Sequence, residues 1–180
     1  GDDLRTGVTL NEYSVVQRFT TLIQHAGLAL ADPPHVAVNA NASNPHYEPT
    51  SENHSPIRRG DLILFDFWAH LPEEDAIIAD YTWMAFAGTR DEIPAAQREV
   101  YEIVQKARDT GIAFIRSKLS AKQHVEGSDV DDSTRAVIAD AGYADYFVHR
   151  TGHNIGTAVH GNGANLDNYE TQDNRILLPS

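Results

Sequence analysis

The chain has 180 residues, of which 41% are hydrophobic, so it can bury one substantial core, and a single domain over residues 1–180 is expected. Its 14 basic and 26 acidic side chains give a formal net charge of -12, which argues against a nucleic-acid partner or an anionic membrane because phosphates would be repelled. No cysteine is present, so any metal must lie on oxygen and nitrogen ligands, and no apolar run reaches the ~18 residues of a membrane span, which favours a cytoplasmic protein.

The first predicted element is a helix over residues 10–26. Thr9 followed by Glu12 is a capping-box pattern, and apolar residues then recur at helical spacing until Gly27. Residues 36–38 are expected to form a short strand. This strand leads into a polar loop that contains the sequence Asn44-Pro-His-Tyr-Glu-Pro49.

Two segments rich in branched and aromatic residues predict a β-hairpin. Residues 62–69 and 76–86 are typical of strands, and a turn lies between them. A hairpin centred on Glu73 places Asp66 opposite Asp80, to within a residue of register, and two carboxylates at such positions repel each other. A buried carboxylate must find a cationic partner, become protonated or bind a cation, and neither strand contains lysine or arginine.

The second half of the chain begins with a long predicted helix that Pro94 opens. A further helix is predicted over residues 129–141, with early acids at the positive end of its dipole and a glycine as its stop. Residues 146–148 are predicted as a strand leading into His149-Arg-Thr-Gly-His153-Asn-Ile-Gly156, which His160 follows. The glycines of this segment either mark turns or let the backbone approach a ligand, and both readings stay open.

The two aspartates leave two interpretations open. One is a bound metal ion, and the other is a protonated, hydrogen-bonded pair of the kind known from carboxylate dyads. Structural networks also hold buried acids, so the pair alone does not decide. The downstream histidines favour the metal, because imidazole suits first-row transition metals and carboxylates accept hard or borderline divalent ions.

Several short motifs occur in a fixed order through nearly the whole chain. They are Asn44-Pro-His46, Gly60-Asp-Leu-Ile-Leu-Phe-Asp66, Ala79-Asp-Tyr-Thr82 with Gly88 behind it, Gly142-Tyr143, and Thr151-Gly-His-Asn-Ile-Gly156 with Val159-His160. In this order and approximate spacing they resemble the pita-bread metallopeptidases, which comprise methionine aminopeptidases, proline-specific aminopeptidases and prolidases. The resemblance implies an α/β fold with a mostly antiparallel, curved sheet covered by helices, whose C-terminal strands are missing here.

The resemblance also implies a pair of divalent metal ions, held by two aspartates, one histidine and two glutamates. Asp66 would chelate one ion, Asp80 would bridge both, and His153 would bind the second. Manganese, cobalt, zinc and iron are all compatible with such ligands. Bridging carboxylates offset the repulsion between two cations, which can then share and acidify a water, and the resulting hydroxide would attack a peptide carbonyl.

Three more histidines are assigned from the resemblance. His160 resembles the histidine that contacts the scissile carbonyl or the developing tetrahedral intermediate, and His46 resembles one that handles a proton or the substrate amide near the leaving group. Both roles need a titratable group outside the metal shell, which suits histidine with its unperturbed pKa of ~6.5. His149 is expected to line the substrate pocket. The other histidines match no motif and are given structural roles; they are His25, His35, His54, His70 and His124.

The final residues depart from the family pattern. Both family glutamates would follow His160, but the one glutamate after His153 is Glu170, which lies in a polar stretch and is not assigned to the metal. We therefore expect a domain that is incomplete at its C-terminal end, with a weak or empty metal site and no activity alone. A sheet edge and apolar surface left uncovered would favour a homo-oligomer.

The motifs around His46 and Trp83 resemble the proline-specific branch more than the methionine aminopeptidases. They imply a metal-dependent aminopeptidase or dipeptidase of Xaa-Pro type that hydrolyses an N-terminal peptide bond, with a peptide as its substrate. The alternative is a non-catalytic peptide-binding module, because some relatives keep the fold and lose the metal site. A hydrolase with one metal on the three remaining ligands is a further alternative.

Overall fold

The computed structural model describes residues 9–178, and the chain divides into two units, Gly1–Ile93 and Pro94–Ser180. Within this described range, the first unit contains one long helix and two small sheets, whereas the second contains two helices followed by an irregular segment. The predicted single domain over residues 1–180 stays a prediction. Among residues 9–178, no helix combines the length and the apolar character that a membrane crossing requires.

The first helix, α1, spans Glu12–His25 and begins at a different cap from the predicted one. Its N-cap is Asn11, whose side-chain oxygen accepts a hydrogen bond from Ser14 N at 2.7 Å, while Ser14 Oγ accepts one from Asn11 N at 3.1 Å. The predicted box between Thr9 and Glu12 is therefore wrong. Asparagine is at least as good an N-cap as threonine, and its use here leaves Glu12 free to bind other parts of the unit.

The first unit contains a three-stranded antiparallel sheet in the order β2-β4-β5 and a separate antiparallel pair, β1 with β3. The five strands are β1 Leu10–Asn11, β2 His35–Val38, β3 Pro56–Ile57, β4 Leu62–Ala69 and β5 Ala79–Phe86. Strand β4 agrees with its prediction, whereas β5 begins three residues later than expected. On the edge of β4 that pairs with β2, the backbone of His70 exchanges hydrogen bonds with Ala29 at 2.8 and 3.0 Å.

One face of the three-stranded sheet packs against α1. The buried core comprises Val16, Val36, Val38, Ile57 and Ile63. The ring of Phe19 meets those of Phe65 and Phe67 edge-on, with centroids 6.0 and 4.8 Å apart. Because successive side chains of a strand alternate between faces, the residues between these apolar positions lie on the opposite face, which is called the carboxylate face below because Asp66 and Asp80 lie there.

The second unit is built on two helices, α2 (Ala95–Ser120) and α3 (Gly127–Asp140). The helices approach closely at Gly111, where an added Cβ would lie 2.7 Å from Thr134 Oγ1. The predicted strand over residues 146–148 is wrong, because Ala144–Tyr146 forms a 3-10 turn. The carbonyl of Phe147 accepts a hydrogen bond from Arg135 Nη1 at 2.9 Å, so a side chain takes the place of a neighbouring strand.

The N-terminal end of α3 is closed by the segment that ends the described chain. Ser128 N donates to Asp173 O at 2.9 Å, and Gly127 N donates to Arg175 O at 3.2 Å. A Cβ at Gly127 would lie only 1.7 Å from the carbonyl oxygen of Asn165. Glycine at this position therefore lets the segment lie directly on the helix end.

We expect Gly127→Ala to lower the free energy of unfolding by about 3 kcal/mol, because the clashing atom belongs to the backbone and cannot rotate away. Urea unfolding followed by circular dichroism measures the change. Gly156→Ala is the matched control, since the nearest atom to its new Cβ is 3.9 Å away. The control should change stability by less than about 0.5 kcal/mol, and equal stabilities of the two variants would contradict the close approach at Gly127.

Candidate functional site

Asp66 and Asp80 lie on the same face of the β4–β5 hairpin. In the observed register Asp66 pairs with Thr82, and Asp80 pairs with Trp68. The expectation that the two aspartates lie directly opposite is therefore wrong by two residues, because the hairpin is centred one residue beyond Glu73. Residues two apart on a strand point to the same side, so the carboxylates are diagonal neighbours, about 7 Å apart in ordinary sheet geometry.

Both aspartates are half-buried rather than buried, which corrects the expectation from the sequence. Thr82 Oγ1 donates a hydrogen bond of 2.7 Å to Asp66 Oδ1 across the two strands. Partial exposure to water weakens the electrostatic repulsion between two such side chains, because the solvent dielectric screens them. The carboxylate face thus presents two oxygen donor groups in partial contact with solvent.

His35 also lies on the carboxylate face, because it is the register partner of Asp66 on β2. Its ring meets Trp68 edge-on with centroids 5.1 Å apart, and its Nε2 lies 3.7 Å from Glu48 Oε1. Sequence reasoning did not find this placement, which depends on the pairing of β2 with β4. Its contacts agree with the structural role predicted for His35.

His46 lies in the exposed loop between β2 and β3, where a turn around Asn44 fixes its backbone. His46 N donates to Asn44 Oδ1 at 3.0 Å, and Tyr47 N donates to Asn44 O at 3.0 Å. The side chain of His46 is exposed to solvent. The structure therefore presents this imidazole on an ordered turn.

Glu12 ties this loop to α1, although sequence reasoning gave the residue only a capping role. Its carboxylate is fully buried and accepts four hydrogen bonds. The donors are Val38 N at 2.8 Å, Asn41 Nδ2 at 3.0 Å, Tyr47 OH at 2.6 Å and Ser55 N at 2.6 Å. Burial, the hydrogen bond to Glu12 and its negative charge raise the pKa of Tyr47 to about 12.

His153 and His160 are brought together in the second unit. Their ring centroids are 4.6 Å apart in an edge-to-face arrangement, with His153 half-buried and His160 exposed. His153 Nδ1 lies 3.2 Å from the carbonyl oxygen of Asn154. A proton on Nδ1 would be donated to this carbonyl.

Asp131 and Arg135, four residues apart on α3, are further residues of this region that sequence reasoning missed. Asp131 is fully buried and accepts hydrogen bonds from Arg135 Nε at 2.8 Å, Thr151 N at 2.9 Å, Asn168 N at 2.8 Å and the Thr151 hydroxyl. Opposite charges four residues apart are typical of an ion pair within a helix, and this spacing could have predicted the contact from the sequence.

The guanidinium of Arg135 fixes the residues just before the histidine segment. It donates to the carbonyl oxygens of Phe147, at 2.9 Å, and His149. Its central carbon lies 4.2 Å from the ring centroid of Phe147 and 4.3 Å from that of Tyr169, so it stacks against both rings. Together with Asp131, this side chain fixes residues 147–151 to α3.

His149 and Arg150 both contact Glu170. The Glu170 Oε1 atom lies 3.3 Å from His149 Nε2 and accepts a hydrogen bond from Arg150 N at 3.2 Å. The other oxygen, Oε2, lies 3.3 Å from Arg150 Nη1. Glu170 thus binds basic groups of the segment through both carboxylate oxygens.

The described donors fit a first-row divalent ion in kind, since they are carboxylate oxygens and imidazole nitrogens. The first unit supplies two carboxylates on one face, and the second supplies two imidazoles in contact. Over residues 9–178, neither unit gathers three or more histidine, aspartate or glutamate side chains that could hold one ion.

Comparison with known proteins gives consistent matches. The model of metallopeptidase family M24 matches residues 2–180. The Xaa-Pro dipeptidase of Lactobacillus helveticus is 31% identical over 159 residues, which are 88% of this chain and 39% of that protein. The crystal structure of a dipeptidase from Pyrococcus horikoshii OT3 is 30% identical with a TM-score of 0.77, over 94% of this chain and 42% of that one. The crystal structure of an X-Pro aminopeptidase from Thermotoga maritima MSB8 is 24% identical with a TM-score of 0.76, over 94% of this chain and 43% of that one. The chain spans about two fifths of the length of these relatives.

Proposed function

The chain belongs to metallopeptidase family M24, and from this premise we propose that it carries part of the active site of an Xaa-Pro dipeptidase or aminopeptidase. The observation that carries the proposal is the placement of Asp66 and Asp80 on one face of the hairpin. The relatives named Xaa-Pro dipeptidase support peptide hydrolysis as the reaction. The substrate would be a peptide with an accessible N-terminus.

Asp66, Asp80 and His153 are proposed as metal ligands. Two divalent ions are proposed, chosen from manganese, cobalt, zinc and iron, because the carboxylate and imidazole donors suit these metals. When bound, the ions would polarise the peptide carbonyl and lower the pKa of a water. Thr82 would orient Asp66 through its hydrogen bond to Oδ1, which holds the second carboxylate oxygen in a fixed direction.

The other histidines would serve the peptide itself. His160, which is exposed beside His153, would donate a hydrogen bond to the scissile carbonyl. His46, on its ordered turn, would give a proton to the leaving amine. His149 would line the substrate pocket. The contact between its Nε2 and Glu170 would keep the imidazole in one orientation.

We expect Asp80→Asn to weaken the binding of Mn²⁺ or Co²⁺ on the order of 100-fold or more, because the amide removes a charged oxygen donor. Isothermal titration calorimetry measures the affinity and the number of ions bound. Glu74→Gln is the matched control, since it removes one negative charge from the exposed turn of the same hairpin. The same variants can be compared for metal-dependent release of an N-terminal residue from Xaa-Pro peptides.

Equal metal affinities of Asp80→Asn and Glu74→Gln would refute the assignment of Asp80. If the unmodified chain binds no divalent ion, the result leaves the non-catalytic peptide-binding module or an inactive, incomplete peptidase domain. Binding of a single ion would instead favour a hydrolase with one metal. Binding of two ions by the unmodified chain would support the two-metal peptidase, so the number of ions bound separates these readings.

A cytoplasmic location and self-association are further proposals. Within residues 9–178, strand β5 pairs with β4 alone, so its outer edge has backbone groups that can bind another strand. Tyr81 and Trp83 on this strand are 58% and 69% exposed, which adds apolar surface beside the edge. These features support pairing of β5 with a second copy or another segment.

A further inference from the structure

We infer that Asn154 is a positioning residue that holds the imidazole of His160 against that of His153. The inference deepens the proposed function, on which it rests only for the roles of the two histidines. It concerns the loop from residue 154 to residue 163, which begins directly after His153 and contains His160. The position of His160 depends on how this loop closes.

Asn154 closes the loop with three hydrogen bonds. Its side-chain Oδ1 accepts from Gly163 N at 3.0 Å, and its carbonyl accepts from Gly161 N at 2.8 Å. Its own N–H donates to Asn165 Oδ1 at 3.0 Å, which ties the start of the loop to the residues beyond its end. Asn154 thus binds the far end of the loop through both its side chain and its carbonyl, which gives a compact loop with adjacent ends.

The glycines at the far end leave room for the Asn154 side chain. A Cβ added to Gly161 would lie 2.2 Å from Asn154 Oδ1, and one added to Gly163 would lie 2.4 Å from Asn154 Nδ2. Both distances are far shorter than a van der Waals contact, so the amide occupies the volume that other residues would fill. The loop therefore combines a hydrogen-bonding residue at one end with glycines at the other.

The closure fixes His160 because His160 directly precedes Gly161. With Gly161 N bound to the carbonyl of residue 154, the chain returns next to His153, and the two rings meet with centroids 4.6 Å apart. Without the side-chain acceptor of Asn154, Gly163 N–H would lose its partner, and the single backbone bond from Gly161 would not keep the loop closed. His160 would then leave His153 while the helices stay folded.

Nuclear magnetic resonance of metal-free protein with labelled histidine tests the inference. The nine histidines give nine ring systems, and cross-relaxation between the ring protons of His153 and His160 reports their contact. We expect this cross-peak to be lost in Asn154→Leu, which keeps the branched shape and removes the side-chain acceptor. Asn154→Asp keeps an acceptor for Gly163 N–H and should retain the cross-peak.

Two glycine variants test the same geometry with Asn154 in place. Gly163→Ala should displace the amide and also abolish the cross-peak, whereas Gly156→Ala should preserve it, since its Cβ meets no atom closer than 3.9 Å. A cross-peak that persists in both Asn154→Leu and Gly163→Ala would overturn the inference. Loss of the cross-peak in Asn154→Asp, with the rest of the spectrum unchanged, would also overturn the inference. Neither metal nor substrate is needed, so failure of the proposed peptidase activity would be seen separately in the Asp80→Asn titration.

Discussion

Replacing Glu12 by glutamine is expected to lower the free energy of unfolding by about 3 kcal/mol or more. The glutamine amide would turn an N–H₂ group toward donors that now bind one carboxylate oxygen, either Tyr47 OH and Ser55 N or Val38 N and Asn41 Nδ2. Because Glu12 is fully buried, water cannot replace the lost acceptor. Urea unfolding measures the change.

Tyr47 provides a second measurement on the same variant. Burial, the hydrogen bond to Glu12 and its charge raise the pKa of Tyr47 to about 12, whereas free tyrosine ionises near pH ~10. Because its pKa is raised in the folded state, the protonated hydroxyl of Tyr47 stabilises the fold. This stabilisation is complete below about pH 10 and is lost as the pH rises through about 12. In Glu12→Gln the negative charge is gone, so ultraviolet absorption should show Tyr47 ionising at a lower pH.

The matched control for Glu12 is Glu48→Gln, which changes an acidic side chain of the same loop that is 75% exposed. It should alter stability by less than about 0.5 kcal/mol and leave the ionisation of Tyr47 nearly unchanged. If both variants unfold at the same urea concentration, Glu12 does not organise the loop that presents His46.

Replacing Asp131 by asparagine should destabilise the second unit by about 3 kcal/mol and loosen the histidine segment. The change removes the counter-charge of Arg135, whose side chain is 19% exposed, and an amide cannot accept from all the groups that bind Asp131. Hydrogen exchange should therefore accelerate at Thr151 N and at neighbouring amides before the protein unfolds globally. Urea unfolding gives the loss of stability, and exchange monitored by nuclear magnetic resonance locates it.

Asp132→Asn is the control for this change, because Asp132 is the next residue of α3 and is exposed. Asp132 accepts one hydrogen bond, from Asn168 Nδ2 at 2.8 Å, in contact with water. Its replacement should cost less than about 1 kcal/mol and leave the exchange of Thr151 N unaltered. The assignment of Asp131 as an anchor of the segment fails if the two variants protect Thr151 equally.

The fold was largely predictable where a short stretch of sequence contains its own signal. Strand β4 matches its prediction at both ends, and the three predicted helices all form, because apolar periodicity and terminal glycines act locally. The fold matches confirm the expected α/β pita-bread class, with antiparallel pairing in each sheet. Residues 146–148 were mispredicted because the hydrogen-bond partner of Phe147 is a side chain of α3 that local pattern does not reveal.

The candidate site was less predictable, since its organisation depends on distant contacts. The hairpin register pairs Asp66 with Thr82 instead of Asp80, a shift that the composition of the two strands does not reveal. The anchoring roles of Glu12 and Asp131 join residues 20 to 43 positions apart, beyond the reach of any helical or strand period. The assigned site residues stay predictions; they are Asp66, Asp80, His153, His160, His46 and His149.

The burial of Glu12 also bears on how the first unit assembles during synthesis. The carboxylate binds Val38 N and Ser55 N, which lie 26 and 43 residues further along the chain. While the polypeptide emerges from the ribosome, α1 can wind early, but its first-turn acid stays hydrated until those donors arrive. The nascent helix therefore keeps its charged end in water. Its docking is complete only when the loop that contains His46 folds over Glu12.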